Sequence, residues 1–228
     1  MILRLDRYLG TFLDSLGRLR DPRRILISFT ADHGVTSYPE WSRRHGDPDA
    51  RRVVADGPIR AAWQALVQRV GPGAWMDYLG NGLIVIDRTG LAAQGVDVDS
   101  VVAALRDALR RVPGVQRVDT RRTLAAADTA SDPIARRWKN LVPPDLPAEL
   151  MVTLEPHDIW SGSLSAQHGQ PSDDDAHVPL IIVGRGVRAR RYSTRVSVTD
   201  LAPTLAYLIG VPPLEPVDGR ILTRGPRR

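Results

Sequence analysis

Asp32-His33-Gly34 sets a carboxylate and an imidazole side by side, just after the strand-like run Ile25-Leu26-Ile27-Ser28-Phe29 and the pair Thr30-Ala31. An adjacent Asp and His can both ligate one divalent metal, the kind of centre that serves phosphoryl transfer. The glycine is expected to let the backbone turn sharply behind them. A plainer reading of the pair is a helix N-cap beside a hydrogen-bonded histidine. A second segment carries the same side-chain types. His168-Gly169 is followed by Asp173-Asp174-Asp175-Ala176-His177, directly before the apolar run 178–183. Three successive aspartates alone read as a solvated turn; a His-Gly beside them, ahead of a buried strand, is less readily explained that way. Of the five histidines, His45 and His157 read as structural or exposed, and Trp160 reads as packing.

The elements that must position these residues are visible as patterns. Ile2, Leu5, Leu9, Phe12, Leu13, Leu16 and Leu19 recur at helical spacing, so 2–20 is an amphipathic helix closed by Asp21-Pro22. A helix followed by the strand 25–29 suits a mostly parallel sheet with helices on its faces. Ligands gather at the carboxyl ends of strands in such sheets, where Asp32 and His33 stand. Residues 38–52 read as a surface excursion and 59–70 as a helix. The segment 83–120 reads as strand, helix and strand, a small α+β subdomain to which 149–155 adds another strand. Residues 125–147 look like a linker with Asp, Ser and Pro turns, and 162–175 like a polar loop. Residues 178–183 read as a returning strand. Residues 201–209 form a helix with Thr199 or Asp200 as N-cap and Gly210 as its stop.

The whole chain sets bounds on function. At 228 residues, 43% hydrophobic and 25% charged, it is an ordinary globular sequence with room for one large domain or a core with a subdomain. No apolar stretch is long enough for a membrane span, and the first ten residues do not form a secretory signal. The net charge is +5, but the arginines are scattered among acidic residues with few aromatics between them, which argues against a nucleic-acid partner. No cysteine is present, so disulfides and thiolate chemistry are excluded.

Taken together, the two loops resemble a known family. Thr30-Ala31-Asp32-His33-Gly34 is similar to the signature of the alkaline phosphatase superfamily, in its branch of alkaline phosphatases and type I phosphodiesterase/nucleotide pyrophosphatases. Gln167-His168-Gly169 through Asp175-Ala176-His177-Val178-Pro179-Leu180 resembles that family's second metal loop. The helix Leu3 to Gly10, the helix Thr199 to Ala206 and the turn Asp218-Gly219-Arg220 resemble elements of the same fold. The resemblance implies an α/β fold, the C-terminal part of an alkaline-phosphatase-like sandwich, a mostly parallel sheet flanked by helices, with a small α+β subdomain inserted. The core would be 1–37 with 160–228, and the insert 38–159 with its subdomain at about 83–120.

The resemblance further implies two divalent metals, Zn2+ by type, bridging a phosphate ester. Asp32 and His33 would bind the metal that activates a Thr or Ser nucleophile. His168, with His177 as its rival, would complete the metal at the leaving oxygen. Asp173, Asp174, Asp175 and His177 would otherwise order the loop. The family's nucleophile, its neighbouring Asp and an Asp/His pair four residues apart all lie upstream of the stretch matched here. The chain is therefore expected to be a C-terminal fragment of a two-metal phosphoric ester hydrolase, inactive alone, with a missing N-terminal half as partner and a periplasmic or extracellular parent. Two other readings stand: a non-catalytic metal-binding or docking module, and a sulfatase or phosphomutase on the same scaffold.

Overall fold

The computed structural model describes residues 1–78, 81–162, 166–211, 213 and 215–222. In chain order they form α1 (Ile2–Leu19), β1 (Leu26–Phe29), α2 (Pro39–Ser42), β2 (Arg52–Val53), α3 (Asp56–Val70) and β3 (Met76–Tyr78). There follow β4 (Leu83–Ile86), α4 (Arg88–Ala93), α5 (Val98–Leu109), β5 (Val115–Thr120), α6 (Arg121–Ala126) and α7 (Pro133–Leu141). The chain closes with β6 (Ala148–Leu154), β7 (Ile159–Trp160), α8 (Asp173–Ala176), β8 (Ile181–Gly184) and α9 (Leu201–Ile209). Contacts divide it into two compact units, residues 1–32 with 179–228, and residues 33–178.

The second unit holds the hydrophobic core and the whole of the expected insert. Its four-stranded sheet has the order β3-β4-β6-β5, with every neighbouring pair antiparallel. Strands β4 and β5 therefore run parallel with β6 between them, the arrangement a helical crossover requires. Every residue of β6 is buried, because helices cover both faces of the sheet. On one face Val98, Val102, Leu105 and Leu109 of α5 and Leu66 of α3 pack against Leu150, Val152 and Leu154. Their spacing along α5 is the stripe that a helix of 3.6 residues per turn presents to a sheet. On the other face Leu124 of α6 and Ala135 and Trp138 of α7 pack on Ala148 and Met151.

Helix α7 overturns the linker expected over 125–147. Asp132 caps it by accepting from Ala135 N at 2.9 Å, and Pro133 occupies the first helical turn, where no amide partner is needed. Trp138 is fully buried, and its Nε1 donates to Thr153 Oγ1 at 2.8 Å. The Asp-Pro pair read as a turn is thus a helix start. Strands β2 and β7 form a separate two-residue parallel ladder. The helical turn α2 interrupts the expected surface excursion and buries Pro39 and Ser42.

The first unit contains α1, β1, β8 and α9. β1 and β8 pair antiparallel from Leu26↔Gly184 to Phe29↔Ile181 as a two-stranded ladder. Within the described residues only Asp200, Pro203 and Thr204 of this unit are buried. Asp200 sits at the start of α9, but its carboxylate does not cap the helix. It accepts from Ser197 N at 3.0 Å and Arg220 N at 2.9 Å. Thr204 Oγ1 donates to Asp200 O and accepts from Leu222 N, binding the tail to the helix through polar contacts. α9 ends at Gly210, whose φ of 74° is left-handed. No helix among the described residues is long and apolar enough to cross a membrane.

Candidate metal centre

Asp32 is an exposed residue shortly after β1 and is the last residue of the first unit's opening segment. His33, next in the chain, opens the second unit and is half-buried. Its ring lies against that of His168, with centroids 3.7 Å apart and planes inclined by 15°. His33 Nδ1 is 2.8 Å from Gly34 O. A carbonyl can only accept, so this contact places a proton on Nδ1. His177 is exposed at the end of α8, where its N–H donates to Asp173 O at 2.9 Å. The structure thus brings His33 and His168 together ring on ring. Among the described residues no three His, Asp or Glu side chains are grouped to hold a metal ion. The two imidazoles fit such an ion by type, while the donors fall short in number.

The two histidine loops are tied together by hydrogen bonds. Thr36 exchanges backbone bonds with Gln167, N to O at 2.8 and 3.0 Å. Gly34 N donates to Asp175 O at 2.7 Å, and Thr36 Oγ1 donates to Asp175 Oδ1 at 2.8 Å. Gln170 N donates to Asp175 Oδ2, also at 2.8 Å. The hydroxyl of Thr36, a residue 3% exposed, is held in this tie between the loops. Gly34 is not in a left-handed conformation, so the expected glycine turn is not its role. A Cβ there would lie 1.9 Å from Asp174 O, and close approach of the two loops is what requires glycine.

Several contributors were not evident in the sequence. Asn81, held at φ 48°, accepts from Gln170 Nε2 on its carbonyl at 2.7 Å and faces Gly169, where a Cβ would come within 2.4 Å of Asn81 Nδ2. Gln167 Oε1 accepts from Trp160 N at 2.8 Å, and Gln170 Oε1 from Leu154 N at 3.1 Å, fastening the His168 segment to β7 and β6. The signal for these was faint: two glutamines flanking His-Gly in a polar loop, of which residues 163–165 lie outside the described residues.

The remaining polar residues have their own partners. Asp174 Oδ2 is 2.9 Å from His157 Nδ1, and Asp173 Oδ1 is 2.5 Å from Arg137 Nη2. His45 stacks on Trp41, and Trp160 meets Tyr78 edge to face. Asp158, beside His157, is buried, and that burial pushes its carboxyl up to about 6 despite the bond from Arg51 N.

No family model matches the chain. It is 32% identical over 235 residues to alkaline phosphatase PhoK of Sphingomonas sp, a match covering 96% of this chain and 41% of that protein. A Myroides odoratus protein named a calcium-transporting ATPase is 26% identical over 216 residues, covering 92% of this chain and 38% of its own length. The crystal structure of wild-type alkaline phosphatase PafA matches with a TM-score of 0.82 at 22% identity, covering 97% of this chain and 42% of that one. The chain belongs to the alkaline phosphatase superfamily. Its fold is part of the α/β fold of that superfamily, and it spans about two-fifths of the length of the superfamily relatives it matches.

Proposed function

We propose that this chain supplies Asp32, His33 and His168 to the two-metal centre of a phosphoric ester hydrolase. The remaining ligands and a Thr or Ser nucleophile would come from the part of the relatives that this chain does not span. The observation carrying this reading is the face-to-face contact of His33 and His168, two imidazoles from loops far apart in sequence, at 3.7 Å. Imidazole and carboxylate are the donors zinc takes in catalytic sites, normally three protein ligands to each metal. With no three-donor group among the described residues, the chain alone is expected to hold metal weakly and to turn over nothing. When bound, paired cations would stabilise the attacking and leaving oxygens of a phosphate ester. The role of this chain is to present two imidazoles at a set separation, with the Nδ1 proton of His33 held by Gly34 O. Substrates would be small phosphoric monoesters or diesters, as in the phosphatase and phosphodiesterase/nucleotide pyrophosphatase branch.

The test has two arms. Purified chain with added Zn2+ is assayed on p-nitrophenyl phosphate and its bis ester, and no turnover is expected. A chimera then carries this chain in place of the matching segment of alkaline phosphatase PhoK. It should hydrolyse the monoester and lose that activity on His33→Ala or His168→Ala. Metal-dependent hydrolysis by the chain alone, or a chimera indifferent to both histidines, would overturn the proposal.

A further inference from the structure

We infer that Asp175 is the positioning residue that sets the separation of His33 and His168, an inference that rests on the metal-centre reading above. Three successive aspartates look interchangeable in the sequence, but their surroundings differ. Asp173 and Asp174 are exposed and engage Arg137 and His157. Asp175 is 4% exposed. A carboxylate buried to that degree needs hydrogen-bond donors, and its two oxygens take theirs from different loops. Oδ1 accepts from Thr36 Oγ1 and Oδ2 from Gln170 N, both at 2.8 Å.

Thr36 follows His33 closely and Gln170 follows His168 closely, so one rigid side chain spans both imidazole-bearing segments. Its own backbone adds a third tie, because Asp175 O accepts from Gly34 N at 2.7 Å. Ser172 Oγ in turn accepts from Asp175 N at 3.2 Å, fixing the short helix α8 that presents the carboxylate. Thr36 is itself 3% exposed, so water does not readily replace its bond to Oδ1. Partners that orient metal-binding side chains in this way typically govern affinity by 10–100-fold.

The chemistry of the donors separates a positioning role from simple core filling. An asparagine at 175 can turn its oxygen to Gln170 N, while its amide donates to the Thr36 hydroxyl, which also accepts. Leucine fills similar space and keeps neither bond. The test uses the full chain and two independent readouts: the nuclear Overhauser contact between the His33 and His168 ring protons without metal, and Zn2+ affinity by calorimetry. Asp175→Leu leaves the backbone ties in place but should markedly weaken the ring contact and lower Zn2+ affinity by about 10–100-fold. Asp175→Asn should keep the contact and stay within about threefold of the parent affinity. Asp99→Leu, at an exposed carboxylate elsewhere, controls for the general effect of such a change. Thr36→Val removes one tie and should show the same defect in milder form, which keeps the inference testable if Asp175→Leu does not fold. An unchanged ring contact in Asp175→Leu and in Thr36→Val would overturn it. If the parent chain takes up too little Zn2+ to measure, as its short donor set predicts, the ring contact alone decides the role of Asp175.

Discussion

His33 and His168 lie face to face, ring centroids 3.7 Å apart, although one follows the first core strand and the other precedes the last. This juxtaposition cannot come from local sequence. It is made by the paired bonds between Thr36 and Gln167 and by the bridge through Asp175.

Removing either imidazole should weaken Zn2+ uptake by the chain at least tenfold while leaving the fold intact, because both rings lie outside the hydrophobic clusters. The double variant His33→Ala/His168→Ala should lose little more than either single one, since both rings address the same ion or pair of ions. Calorimetric titration of the three variants checks this; additive losses would speak against a shared centre.

Gly34→Ala should destabilise the second unit by about 1–3 kcal/mol, through overlap with Asp174 O rather than through backbone strain. Urea unfolding measures the cost. Because the overlap displaces Asp174 and Asp175, the substitution should also weaken metal uptake, in contrast to Gly10→Ala on α1, where a Cβ meets nothing within 4 Å.

Asp158 predicts a distinctive pH dependence. Its carboxyl is raised to about 6 in the folded chain, above the ordinary 3.8. Between those values the folded state holds the proton more tightly than the unfolded state. The contribution of Asp158 to stability is therefore full below about 4 and is lost as pH rises through about 6, by roughly 1–3 kcal/mol. Its Oδ2 is buried without a hydrogen bond, 3.4 Å from Arg51 Nε, and the guanidinium offsets only part of the burial. Melting temperatures from pH 4 to 7 should show this decline in the parent and a smaller one in Asp158→Asn.

The first unit exposes apolar side chains: Ile2, Leu5, Tyr8 and Phe12 on α1, Phe29 on β1, and Ile181 and Val183 on β8. The isolated chain should therefore self-associate at micromolar concentration and bind a hydrophobic dye. Phe29→Ser with Val183→Thr should reduce both effects. Light scattering and dye fluorescence provide the measurements, and a strictly monomeric, dye-silent parent would contradict the expectation.

Much of this fold is legible in one dimension. The stripe of α1, the stop of α9 at Gly210, the span of β5 and the strand–helix–strand order around α5 all follow from spacing and turn residues, which act within a few positions along the chain. Helix α7 was obscured because Asp132-Pro133 serves equally as a turn or as a helix start. What resolves it is burial of Ala135 and Trp138 against β6, a partner outside the segment. The ladders β2–β7 and β3–β4 are two or three residues long, too short to show a period.

The same division runs through the candidate centre. The sequence by itself determined which side chains the two loops carry, Asp32-His33-Gly34 and His168-Gly169, because residue type and local spacing are written there directly. Only the tertiary structure decided that the two rings meet, that Gly34 is needed for space rather than for a turn, and that Asp175 alone among three aspartates faces inward. Those outcomes depend on which distant donors reach a buried group, since a buried carboxylate takes the orientation in which Thr36 and Gln170 satisfy it.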